Sequence, residues 1–308
     1  MGKATRESYG MALLELGSEN EKIVVLDADL SKSTKTSEFK NKFSDRFFNV
    51  GIAEQNLMGM AAGLSNVGYI PFASTFAVFA TGRAFEIIRN SICYPKMNVK
   101  IAATHAGITV GEDGGSHQSV EDIALMNSLP NMTVIVPADH RETMQAIKAA
   151  ANYEGPVYLR LGRCNTQDIF NEDYEFKIGK GVEVVSGDDV TIIATGMMVQ
   201  KAIEASEKLS LEGINARVIN ISTIKPIDRE IILKAARETK GIVTAEEHSI
   251  IGGLGAMVAS IVSSKEPTIV NMLGINDTFG ESGTPDELMY KYGLTKDEII
   301  KKVKEILN

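Results

Sequence analysis

The sequence is short of cysteine, of basic charge and of any leader segment, and each shortage removes a class of protein. Two cysteines, Cys93 and Cys164, stand far apart in a chain of 308 residues. Neither lies in a CxxC pair or at a Cys/His ligand spacing, so nothing suggests a disulfide framework or a zinc module, and a reducing cytoplasm fits. Basic residues are outnumbered, 32 Lys and Arg against 40 Asp and Glu, for a formal net charge of -8. Nonspecific attraction to nucleic acid or to an anionic membrane is therefore disfavoured, while a local anion site remains open. The start of the chain, MGKATRES, has no apolar signal-peptide core, and Arg6 stands where a myristoylation signal needs Ser or Thr. No P-loop motif occurs, and GGLGAM at 252–257 lacks GxGxxG spacing, so nucleotide-phosphate binding of either kind is unsupported.

What is present is a globular composition, 44% hydrophobic and 23% charged, which excludes a disordered chain. The length predicts two domains. One uncharged stretch, Gln55 to Gly82, is long enough to cross a bilayer. Its amides, Pro71 and glycines, and its change from helical to extended pattern and back, argue instead for buried helix, strand and helix beneath a site or a subunit interface.

Short runs rich in β-branched residues alternate with amphipathic segments. Strands are predicted at 23–27, 69–74, 99–104, 133–138 and 157–161, with helices near 5–18, 54–66, 76–92 and 139–151. The alternation is that of βαβ units around a parallel sheet covered on both faces. After Gly162 the pattern lapses into a polar, acidic segment. A second α/β unit then follows, with strands VTIIAT, NARVIN, GIVTAE and PTIVNM. The expectation is an α/β protein of two doubly wound domains, residues 1–165 and 189–308, joined by a linker at 166–188.

Open parallel sheets bind ligands at the carboxyl ends of their strands. The segment Thr104 to Gln118, THAGITVGEDGGSHQ, follows such a strand and places His105, Glu112, Asp113 and His117 among four glycines. Imidazoles and carboxylates at the ends of a loop that lets backbone approach a ligand suit proton transfer on a polar substrate. The bland alternative is a glycine-rich loop with incidental histidines. His105, Asp113 and His117 are potential metal ligands, but their spacing matches no compact metal motif. Glu54 opens a helix, where the dipole favours a carboxylate. The absence of charge after it also points to an apolar surrounding that demands a hydrogen-bonding partner. Phe76 and Phe79, three apart, are by default core residues on one helix face, a face that a flat ligand ring would also use. Arg6, Ser33 and Arg163 are individually unremarkable, but together they would make a phosphate clamp.

These residues sit in segments that resemble transketolase in family order: ATR at 4–6, DADLSKS at 27–33, GIAEQNLMGMAAGL at 51–64, STF at 74–76, THAGITVGEDGGSHQ at 104–118, LPNMTVIVPAD at 129–139 and EEHSIIGGLG at 246–255. The resemblance covers nearly the whole chain but only the pyrimidine-binding and C-terminal domains of the family. The diphosphate-binding domain, with its GDG…N motif for Mg²⁺ and thiamine diphosphate, is not in this sequence. The resemblance thus implies the C-terminal subunit of a split transketolase, paired with an N-terminal subunit that carries the Mg²⁺ ligands, this chain supplying none. A homodimer of this subunit within a heterotetramer is expected.

By position, the resemblance implies that Glu54 hydrogen-bonds the aminopyrimidine of thiamine diphosphate, that Phe76 and Phe79 enclose it, and that Asp29 lies near the cofactor. His105 and His117 would bind substrate hydroxyls and assist proton transfer. Asp113 would contact the hydroxyl beside the donor carbonyl, and Arg6, Ser33 and Arg163 would hold the sugar phosphate. Three positions depart from the family pattern. Ala53 and Gln55 flank Glu54 where Arg and His are common, which is nearer to deoxyxylulose phosphate synthase, and Gly82 replaces a tyrosine. Three readings follow: ketol transfer between sugar phosphates, with a deoxyxylulose-phosphate-synthase-like enzyme as the alternative to it; the β subunit of a 2-oxoacid dehydrogenase; and a non-catalytic binding module. The phosphate set favours the first over the second, and the retained Glu54, His105, Asp113 and His117 oppose the third.

Overall fold

A computed structural model describes residues 2–308, which form two sheets. The first contains β1 (Ile23–Asp27), β2 (Phe47–Asn49), β3 (Ile70–Phe76), β4 (Lys100–Thr104), β5 (Thr133–Ile135) and β6 (Val157–Arg160). The second contains β7 (Val182–Val185), β8 (Val190–Ala194), β9 (Ala216–Asn220), β11 (Ile242–Ser249) and β12 (Val270–Ile275). Between β9 and β11 in the chain lies β10 (Thr223–Lys225), which leaves the second unit and pairs antiparallel with β5. The first sheet therefore runs β10-β5-β6-β4-β3-β1-β2 and the second β12-β11-β8-β9-β7. All other pairings are parallel except β7 with β9. Every residue of β1, β4, β6, β8 and β9 is buried, as strands covered on both faces require. The fold class is the α/β arrangement of two sheet domains that the alternating pattern predicts.

Helices Thr5–Glu19, Glu54–Asn66 and His140–Asn152 fall where expected, but the predicted helix at 76–92 does not form as one element. β3 continues through Phe76, which pairs with Thr104, and the following segment is two π-helical stretches, Phe79–Arg83 and Ile88–Cys93, around the short helix Phe85–Ile87. Each π turn accommodates one residue more than an α turn and turns the next side chains to a new face, a device common at functional sites.

The segment after Gly162 is irregular but docked. Asp139 caps the 140–152 helix through Oδ1, which accepts Glu142 N–H at 2.8 Å, while Oδ2 accepts the amides of Ile169 and Phe170 at 2.8 and 2.9 Å. Tyr174 then donates to Glu142, and Phe176 enters the core of the first unit. The uncharged helix 54–66 is two-faced. Leu57, Met58, Ala61 and Ala62 are buried, whereas Gln55, Asn56, Gly59, Met60 and Gly63 are exposed. Among the described residues no helix is long and apolar enough to cross a membrane.

Candidate functional site

The site is assembled at the carboxyl ends of β1, β3 and β4. β1 ends in Asp27, a fully buried carboxylate that organises the turn after it. Its oxygens accept Leu30 N–H at 2.6 Å and the hydroxyls of Thr34 and Thr36 at 2.6 and 2.9 Å. That turn presents the Ser33 carbonyl to Arg6 on the first helix, whose Nη1 donates to it at 3.0 Å. The same Nη1 lies 3.2 Å from His105 Nε2. Arg6 can only donate, so Nε2 is the acceptor and the ring proton sits on Nδ1, which donates to Thr104 Oγ1 at 2.9 Å. Burial, then the cations Arg6 and Arg163, lower the His105 pKa to about 3, so the imidazole is neutral. Burial, and then the field of Arg163, also lower the Arg6 pKa. Arg6 Nε is buried with no hydrogen-bond partner among the described residues.

His105 takes a left-handed conformation, φ 56°, directly after β4. Its ring lies on Phe76 with centroids 3.9 Å apart. Phe76 and Phe79 do not share a helix as their spacing predicts: one closes β3 and the other opens the π turn. Their rings still stack, 5.9 Å apart and 9° from parallel, and His117 stands edge-on to Phe79 at 5.4 Å. Both histidines, which are 12 positions apart in sequence, thus meet one aromatic pair.

Glu54 is buried at the first turn of its helix, and its carboxylate accepts Arg83 Nη1 at 2.8 Å. The Arg83 guanidinium also lies 4.7 Å from the centre of the Phe79 ring. A planar N–H donor thus bridges the carboxylate and the aromatic face.

Other candidates stand apart from this cluster. Asp29 is exposed, with φ 65°, and accepts from Asn49 Nδ2 at 2.9 Å. Asp113 is exposed and has no hydrogen-bond or ion-pair partner among the described residues. Arg163 binds the loop itself, through the Val110 carbonyl and, at 3.1 Å, Glu112. Ser33 meets Arg6 through its carbonyl rather than its hydroxyl. No group of three or more His, Cys, Asp or Glu among the described residues is placed to hold a metal ion. Sequence reasoning missed Arg83, Thr104 and Glu247, the last accepting Thr109 N–H at 2.8 Å. Arg83 carried a signal, being the first charged residue after Glu54.

Two parallel-sheet units, with a histidine-bearing loop and aromatic pair at the strand ends of the first, define a pyrimidine-binding domain followed by a C-terminal α/β domain of the transketolase type. The family models for the transketolase pyrimidine binding domain and the transketolase C-terminal domain match residues 1–168 and 179–299. The chain belongs to the transketolase family, whose members depend on thiamine diphosphate. It is 53% identical over 306 residues to a Methanocaldococcus jannaschii protein provisionally named a transketolase C-terminal section, covering 98% of this chain and 96% of that one. Human transketolase is 39% identical over 308 residues, covering 99% of this chain but 49% of the human protein, so this chain spans about half of it. A solved split-gene transketolase, described as an inactive beta4 tetramer, is 61% identical, covers 99% of each chain and superposes with a TM-score of 0.93.

Proposed function

We propose that this chain is the C-terminal subunit of a two-chain transketolase, which with an N-terminal subunit transfers a two-carbon ketol unit from a ketose phosphate to an aldose phosphate. The observation that carries the reading is Arg6: a half-buried guanidinium with an unpaired Nε, held between Ser33 and a neutral His105 and facing the field of Arg163. Two cations on one polar loop, Arg6 at His105 and Arg163 at Val110 and Glu112, suit a phosphate dianion better than the single carboxylate of a 2-oxoacid.

Thiamine diphosphate, when bound, supplies the thiazolium carbon that carries the two-carbon unit. Glu54 hydrogen-bonds the ring nitrogen of its aminopyrimidine, exchanging Arg83 for that partner, and Phe76 and Phe79 enclose the ring. Asp29 lies towards the cofactor. His105, neutral, orients a substrate hydroxyl through Nε2 once Arg6 leaves that nitrogen for the phosphate, and His117 at the other end of the loop shares proton transfer with it. Asp113 contacts the hydroxyl beside the donor carbonyl. Arg6, Ser33 and Arg163 hold the phosphate, Arg163 leaving Glu112 to do so.

The N-terminal subunit supplies the diphosphate site and the Mg²⁺ ligands. The uncharged exposed face of helix 54–66, with Ile52 79% and Tyr94 84% exposed beside it, is the surface on which this subunit pairs with itself in a heterotetramer of the cytoplasm. The test is reconstitution. The purified chain with thiamine diphosphate and Mg²⁺ should show no ketol transfer, and adding the N-terminal subunit should restore it. Robust transfer by this chain alone, or none by the pair on any ketose phosphate, would overturn the reading.

A further inference from the structure

The EEHS segment at the end of β11 ties three consecutive side chains to three different elements. Glu246 accepts the amides of Leu254 and Gly255 at 2.7 and 2.8 Å and so caps the helix Leu254–Lys265. His248 Nε2 accepts Ala124 N–H at 3.3 Å from the helix Asp122–Ser128 of the first unit. Glu247 reaches the candidate site: its Oε1 accepts Thr109 N–H at 2.8 Å, within the loop that runs from His105 to His117. It is 5% exposed.

The contact is built rather than incidental. Gly107 has φ 81°, and a Cβ there would come within 2.2 Å of the Glu247 carboxyl, so the loop reaches this carboxylate only because residue 107 has no side chain. Arg160 Nη2 donates to the Glu247 carbonyl at 2.9 Å and fixes the backbone from which the side chain extends. The far end of the loop is held separately, by Gln118 Nε2 donating to the carbonyls of Ile108 and Glu281 at 3.1 and 2.9 Å.

We infer that Glu247 is a positioning residue by which the C-terminal domain sets the His105–His117 loop for substrate. The inference rests on the ketol-transfer reading for its consequence, but not for its geometry. A buried carboxylate is a costly anchor, and its use at an amide four residues from His105 fixes the loop's start while Gln118 fixes its end. Glu247 touches neither cofactor nor substrate and acts through the backbone of Thr109.

The experiment compares Glu247→Leu, which removes the acceptor, with Glu247→Gln, which retains one. Amide hydrogen exchange of the 105–118 segment is read on the isolated chain. Cofactor affinity and steady-state constants are read on the complex with the N-terminal subunit. Glu247→Leu is expected to speed exchange in the segment at least tenfold, raise KM for the ketose phosphate about tenfold, and leave the cofactor Kd within about twofold. Glu247→Gln should restore all three. Should Glu247→Leu fail to fold, Glu247→Asp, which withdraws the carboxylate by one methylene, reads the same contact. Unchanged exchange, a Gln variant as impaired as Leu, or a cofactor Kd that moves in step with KM would overturn the inference. A wild-type complex with no ketol transfer would sink the functional reading and leave the exchange result to decide this one.

Discussion

Glu54 and Arg83, the two charged residues that bracket the uncharged stretch from Gln55 to Gly82, meet each other at 2.8 Å. The carboxylate side chain is 2% exposed and the guanidinium side chain 50%. The half-exposed cation satisfies a buried anion that has no other ion-pair partner among the described residues. Helix 54–66 and the π turn at 79–83 are thus linked at the place where the cofactor ring is proposed to sit.

Arg83→Met should therefore act in two directions at once. It strands the Glu54 carboxylate, which costs stability, about 1 kcal/mol after allowing for Arg83's exposure, or roughly 2 °C in Tm for a chain of this size. It also removes a competitor for the carboxylate, so cofactor binding in the reconstituted complex should tighten by several-fold. Calorimetric titration of the complex with thiamine diphosphate decides the matter, and weaker binding would show that Arg83 supports the cofactor instead of yielding to it.

Glu54→Gln keeps the shape and can still hydrogen-bond, but cannot carry charge. Folding should be unaffected by circular dichroism, while turnover in the complex falls by roughly 10² to 10⁴, the range lost with a general acid or base. Near-normal turnover would remove Glu54 from the chemistry.

His105 gives a pH prediction with a definite sign. Its folded pKa is lowered to about 3, chiefly by burial and then by Arg6, so the folded chain binds fewer protons than the unfolded one. The stability linked to His105 is fully present above its ordinary value of 6.5 and is lost as pH falls from there towards 3. By NMR, the His105 ring signals should not titrate between pH 5 and 9, a window set by that lowered value. Arg6→Met should move the midpoint up but keep it below 6.5, because burial, the larger cause, remains.

The sheets were readable because runs such as IVVLD and KIAAT are apolar, β-branched and bounded by turns, and full burial is what such runs imply. The 76–92 segment misled because its apolar spacing is helical on average, while whether Phe76 belongs to strand or helix is decided by its pairing with Thr104 across β4. β10 is three residues long and joins the far sheet, a placement set by tertiary pairing that no local pattern announces. Within the site, His105 and His117 could be grouped from one loop. Thr104 as tautomer partner and Glu247 as anchor depend on geometry, the latter across 138 positions.

Arg163 tests the phosphate assignment. Arg163→Leu removes a charge-assisted contact, so KM for a phosphorylated donor should rise at least tenfold. KM for an unphosphorylated ketol donor should change little. Equal effects on the two donors would mean that Arg163 serves the loop, through Val110 and Glu112, and not the substrate.

Behind the site lies the pair Asp122 and Arg160, with side chains 0% and 6% exposed, joined by Nε and Nη2 at 2.8 and 3.1 Å and supported by Tyr158 Oη at 2.7 Å. Burial works against the Asp122 charge, but the Arg160 guanidinium outweighs it and holds the carboxyl below its usual range. Stability from this group is present above the ordinary pKa of 3.8 and is lost as pH falls through the lower folded value. Arg160→Leu leaves a buried carboxylate with no cation and only the Tyr158 hydroxyl as side-chain donor, and should cost about 3 to 5 kcal/mol in urea unfolding, whereas the double change Asp122→Leu with Arg160→Leu should recover much of that loss. The double variant should nevertheless bind donor more weakly, because Arg160 Nη2 also holds the Glu247 carbonyl at 2.9 Å, and an apolar pair restores packing without restoring that hydrogen bond. A double variant that recovers stability and donor KM together would mean that the ion pair serves folding alone.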